Sequence, residues 1–181
     1  MKNSKKLSFR VAFCGILSAM GIALLLITGW IPVLTYAAPL YVSFLLIPAI
    51  TELGTGAGWC VWFVTALLTL IMSADKEAGA FYVFLGYYPM IRGLIAKIPG
   101  RLPRFVTKVV FFTLSIGCMY LLLIFVFRLE SVVSEFKVSL WGNVAMSAVM
   151  VAIMMVADRL IGKLTQVYMR RLHPTIKKLL H

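Results

Sequence analysis

Acid is scarce in this chain: six Asp and Glu in 181 residues, against 18 Lys and Arg. That scarcity excludes a proton relay of the kind pumps use, which needs a series of carboxylates through the depth of a membrane. Histidine is sparser still. Both copies, His173 and His181, sit in the basic C-terminal stretch, so no imidazole is available for a metal site or catalytic dyad among the apolar segments. The three cysteines, Cys14, Cys60 and Cys118, contain no CxxC spacing and are expected to act as small buried hydrophobes. No GxSxG, HExxH or paired-Asp motif occurs, and Gly54-Thr55-Gly56-Ala57-Gly58 lacks the Lys and Ser or Thr that complete a phosphate-binding loop. It is expected to be a flexible connection. The sequence therefore offers no catalytic residues, no metal ligands and no cofactor site, and the expectation is that the protein is not an enzyme.

Charged residues of both signs amount to only 13%, whereas hydrophobic residues reach 62%. Ordinary soluble domains hold about 25% and 45–50% respectively, so a water-soluble globule is excluded. A bilayer crossing takes about 20 apolar residues, which allows five or six crossings and no separate soluble domain. The apolar runs are 11–30, 33–51, 59–73, 78–98, 105–127 and 138–157, followed by a basic amphipathic tail over 160–181. The basic stretch before the first run resembles a signal peptide, but no Ala-x-Ala-like cleavage context follows, and that run is expected to be retained as a helix. Pro39 and Pro48 should kink the second run. The third is short unless it extends back into the glycines, and Gly86-Tyr87-Tyr88-Pro89 interrupts the fourth. The fold expected is all-α: a polytopic membrane bundle of six transmembrane helices.

The net charge of +12 would suggest nucleic acid on a soluble protein, but on a membrane protein it marks cytoplasmic segments. With the N-terminus inside, six spans leave only Lys76, Arg128 and Lys137 outside and put every other cation inside. Both termini are accordingly expected on the cytoplasmic side of the plasma membrane, with the tail from Tyr168 onward lying as a surface helix on anionic lipid. Arg92 is expected to snorkel toward the cytoplasmic surface. Glu52 and Asp158, the acids of that side, would pair with a cation such as Arg92 or Arg159 or hydrogen-bond a helix end.

Two constellations stand out. Gly15, Ala19 and Ala23 recur every four residues in the first helix and make a smooth face, suited either to packing within the bundle or to docking a separate subunit. Near the outer interface, Trp30, Tyr36, Asp75, Lys76, Tyr82, Tyr87, Tyr88, Trp141 and Asn143 supply flat walls and a few polar groups. This is the composition of a small-molecule pocket, and the aromatics also suit an interfacial belt.

The basic N-terminus leading into Ala19-Met20-Gly21-Ile22-Ala23, the Pro-containing second helix and the following Gly54 to Gly58 turn resemble the substrate-binding S component of an energy-coupling factor vitamin transporter. The resemblance spans most of the chain. It implies that Ala19 and Ala23 face a transmembrane T component carried by two cytoplasmic ATPase subunits. It also implies that a small water-soluble micronutrient binds at the outer face, in regions that here carry Trp30, Asp75, Lys76, Tyr82, Tyr87, Trp141 and Asn143. The rival expectation is a non-transport scaffold subunit of a cell-envelope assembly complex, which would need the small-residue face but no pocket. A membrane enzyme acting on lipid head groups is disfavoured because the acids do not cluster.

Overall fold

In a computed structural model, which describes residues 2–31, 34–125 and 140–171, the described residues form seven helices and no strand. They are α1 (Lys2–Ile27), α2 (Leu34–Leu53), α3 (Thr55–Met72), α4 (Lys76–Leu85), α5 (Tyr88–Ile95), α6 (Arg101–Phe125) and α7 (Leu140–Arg171). Within them, Leu7–Ile27, Leu34–Leu53, Thr55–Met72 and Arg101–Phe125 are long and apolar enough to cross a membrane. Their outward faces are apolar too: Ile16, Phe63, Ile71, Val110 and Leu114 are all exposed. Water would leave such a surface prone to aggregation, whereas acyl chains cover it without cost, so the pattern is that of an integral membrane protein.

The core has two parts. One packs α1, α2 and α3 around Leu25, Val42, Leu46 and Tyr82, and the other joins α4, α5, α6 and α7 around Phe81, Phe112, Met119 and Met154. Between them, α4 buries Ala78, Gly79, Ala80, Phe81, Tyr82 and Leu85, six of its ten residues. Small residues let the helices of the first part approach closely. A methyl added at Gly21 would lie 2.9 Å from Val42 Cγ1 and 3.2 Å from Thr65 Cγ2, and one at Gly58 would lie 2.7 Å from Ile50 Cγ1.

Several boundaries differ from the sequence expectation. The third helix does run back through the glycines: only Gly54, at φ 92°, connects α2 to α3, and Gly56 and Gly58 are helical. What looked like a flexible glycine connection is therefore one left-handed residue followed by a close-packed helix start. Both prolines lie inside α2, where the Ser43 hydroxyl donates to Pro39 O at 2.8 Å and Thr51 to Ile47 O at 2.8 Å. Such back-bonding keeps hydroxyls satisfied in an apolar bundle.

The fourth run is split, because Pro89 cannot supply the N–H that would bond Leu85 O; α4 stops at Leu85 and α5 restarts at Tyr88. At the C-terminal end no break separates a sixth span from a tail. Continuous as far as Arg171, α7 buries Ile161 and Tyr168 against the bundle, so residues 160–170 are part of the packed fold rather than a separate surface helix. Residues 172–181 lie outside the described part.

Candidate functional site

One end of the bundle is built around Asp75. The α1 C-terminus delivers Thr28 and Gly29, α2 begins with Thr35, and the short α3–α4 turn carries Ser73, Ala74 and Asp75. Asp75 caps α4 by accepting from Ala78 N at 3.1 Å, and its other oxygen accepts from the Thr35 hydroxyl at 2.7 Å. Ser73 tightens the turn, its hydroxyl donating to Asp75 O at 3.1 Å and accepting from Asp75 N at 3.2 Å. Thr28, Gly29, Thr35, Ala74 and Asp75 line an open, shallow pocket of about 240 Å³. Lys76 turns away, its ammonium donating to Leu70 O at 2.9 Å and Ile71 O at 3.3 Å at the α3 C-terminus.

The residues grouped from the sequence are divided by the fold. Asp75 stands in this pocket and Lys76 beside it. Trp30 follows Gly29 but is 88% exposed, and Tyr36 packs edge-on against Phe81 at 5.7 Å. Tyr82 is fully buried within the core. At 1.5 Å per residue, Tyr87 and Tyr88 lie roughly 18 Å farther along the chain axis, so they do not join Asp75. Tyr87 instead stacks on Trp59 at 5.9 Å and meets Trp62 and Phe111 edge-on. The side chains of Trp141 and Asn143 lie outside the described residues.

At the opposite end, Asp158 collects three partners from two other helices. Tyr88 donates its hydroxyl at 2.7 Å, Arg92 its Nε at 2.9 Å to the same carboxylate oxygen, and Lys108 its ammonium to the second. Arg92 therefore points at an acid, not simply at the membrane surface, and the pairing of Asp158 with Arg92 is realised. Sequence reasoning did not foresee Lys108 or Tyr88 in this cluster. A signal was present: Lys108 sits one turn inside the α6 apolar run, and Asp158 ends another, so each needs a counter-charge. Nearby, Glu52 accepts from the Tyr168 hydroxyl at 2.9 Å, and Arg10 donates to Leu53 O at 3.1 Å. Burial, then the bond to Glu52, pushes the Tyr168 hydroxyl up to about 12.

Along α1, Gly15, Ala19 and Ala23 all face outward. Nothing lies within 4 Å of where a Gly15 side chain would begin. Internal packing uses the other face, through Leu17, Ser18, Gly21 and Leu25. Gly15 and Ala19 line a groove of about 710 Å³ whose second wall is α3, at Gly56, Ala57, Cys60 and Val64. The chain matches no known family model, no curated protein and no solved structure.

Proposed function

We propose that the protein is the membrane substrate-binding subunit of an ATP-driven importer, an S component of the energy-coupling factor kind. In this reading it captures a small water-soluble micronutrient at the outer face and delivers it together with a transmembrane T component and two cytoplasmic ATPase subunits. The observation that carries the reading is the outward-facing groove of Gly15, Ala19, Gly56 and Ala57. Smooth faces of this kind drive helix association in lipid, and here the bundle itself does not use the face. A subunit with no nucleotide motif in its sequence needs partners to supply energy, and a groove that admits another helix gives them a seat.

Topology fits the same reading. Taken as one interrupted crossing, α4 and α5 bring the number of spans to six. Apart from Lys76, every cation whose side chain is described lies at the Asp158 end, and that end is then cytoplasmic by the positive-inside rule. The Asp75 pocket is then the outer one, and both termini lie inside the plasma membrane. A non-transport scaffold would share the groove but would have no use for the pocket.

The test is co-purification from native membranes of the wild type and of an Ala19→Leu, Ala23→Leu variant. An ATP-hydrolysing assembly that travels with the wild type and is lost from a variant of unchanged melting temperature supports the reading. Partners without ATPase activity, or partners indifferent to the substitutions, overturn it.

A further inference from the structure

We propose that the pocket of Thr28, Gly29, Thr35, Ala74 and Asp75 holds the ammonium group of a small organic amine, which names the substrate class and rests on the importer reading above. The donor and acceptor inventory sets the chemistry. A threonine hydroxyl has one proton, and both threonines have already committed theirs: Thr35 to Asp75 Oδ2 at 2.7 Å, Thr28 to Leu25 O at 2.7 Å. What each hydroxyl still offers is a lone pair. The Asp75 carboxylate accepts from Thr35 and Ala78 N and retains further lone pairs on both oxygens. The polar side chains of the pocket therefore offer acceptors, which suits a ligand that brings protons.

Charge points the same way. Among the described residues no Lys, Arg or His pairs with Asp75; the ion pairs found are those of Arg92 and Lys108 with Asp158. The adjacent Lys76 is engaged by the α3 carbonyls. An anion entering the pocket would meet an uncompensated carboxylate, whereas a cation would neutralise it. The C-termini of α1 and α3 and the N-termini of α2 and α4 meet at this pocket, so the helix dipoles largely offset one another and the Asp75 carboxylate sets the sign of the site. Lys76 is an internal precedent, because its ammonium already occupies the α3 terminus.

The pocket is shallow and open, so it need hold only the charged end of a ligand. A volume of about 240 Å³ equals roughly eight water molecules, enough for an ammonium and a few carbons. Calcium takes six to eight oxygen ligands, and no group of three His, Cys, Asp or Glu able to hold a metal occurs among the described residues. Gly29 and Ala74 form the walls around the polar groups, and a methyl on Gly29 would lie 3.2 Å from Ala74 Cβ, so the pocket is readily filled by substitution.

The experiment uses the full chain in nanodiscs of neutral lipid at fixed ionic strength, titrated with ethylammonium, tetramethylammonium, sodium and acetate. Melting temperature and intrinsic tryptophan fluorescence, to which the exposed Trp30 contributes, are the readouts. Ethylammonium should bind at least tenfold more tightly than tetramethylammonium, which carries the same charge and no N–H. Asp75→Asn should weaken ethylammonium at least tenfold, and Ala74→Trp should abolish its binding while the protein still melts cooperatively. Equal responses to sodium or tetramethylammonium, or undiminished binding in both variants, would overturn the assignment. On the same preparation, loss of ammonium binding with ATPase partners retained overturns the ligand class alone; ammonium binding without such partners leaves the site standing and overturns the importer reading.

Discussion

The Arg92 guanidinium occupies the space that a side chain on Gly162 would need: a methyl built there collides with the Arg92 Nη2. Glycine at this position of α7 is therefore a seat for a cation, one turn beyond the aspartate that the cation neutralises. Gly162→Ala should displace the tip of Arg92 and weaken its hold on Asp158, at a net cost of at most about 1 kcal/mol, because the guanidinium is the end of a flexible, partly exposed side chain and alanine is the better helix former. Thermal melting of Gly162→Ala, Arg92→Ala and the double variant checks this. The two losses should be non-additive, because both substitutions act on one contact.

Asp158 balances two cations with one carboxylate. Asp158→Ala leaves Lys108 and Arg92 without a counter-charge and Tyr88 without its acceptor, and should cost about 3 kcal/mol. The lower end of the range for buried pairs applies, because the Arg92 side chain is 32% exposed. Lys108→Met should cost less, since Arg92 still neutralises the acid. Melting midpoints in detergent order the variants, and a Lys108→Met protein weaker than Asp158→Ala would contradict this account of the cluster.

Two glycines six residues apart on α1 should respond in opposite ways. Gly21→Leu drives a side chain into Val42 and Thr65 and should destabilise by about 1–3 kcal/mol through overpacking. Gly15→Leu meets open space and should leave melting unchanged or raise it slightly, since leucine is the better helix former by up to about 1 kcal/mol.

Tyr168→Phe removes one hydrogen bond to Glu52 and should cost about 1 kcal/mol. Because the folded hydroxyl is raised to about 12 from about 10 in the unfolded chain, its contribution is fully present below the lower value and is lost as pH rises through the upper one. Equilibrium melting in strongly alkaline buffers should show the wild type keeping this advantage over the variant up to about pH 10 and losing it progressively as pH rises to about 12.

The membrane class and the apolar runs were legible in the sequence because a bilayer imposes a length and a composition that no local preference can override. The helix break at Gly86 to Pro89 was legible for a similar reason, as proline removes a specific bond. Helix continuity past Asp158 was not. The switch from apolar to mixed sequence there looks like an interface, and only the arrival of Tyr88, Arg92 and Lys108 from other helices shows why the charge stays within the fold.

The site was partly legible. Asp75 and Lys76 could be located by their polarity, but a linear list of aromatics cannot tell that Tyr82 is core, that Tyr87 belongs to the Trp59 and Trp62 cluster, or that Tyr88 serves Asp158. Thr28 and Thr35, which complete the Asp75 pocket, passed unnoticed because isolated threonines in apolar helices carry no pattern. The small-residue face of α1 was visible, but its direction depended on Gly21 claiming the opposite face.

Native mass spectrometry of the protein released from mild detergent, with identification of any small molecule that travels with it, tests the substrate-binding account most directly. The account predicts one equivalent of a small polar compound, lost on Asp75→Asn. A protein that carries nothing, and whose melting temperature no vitamin, amino acid, amine or nucleobase shifts, would contradict it.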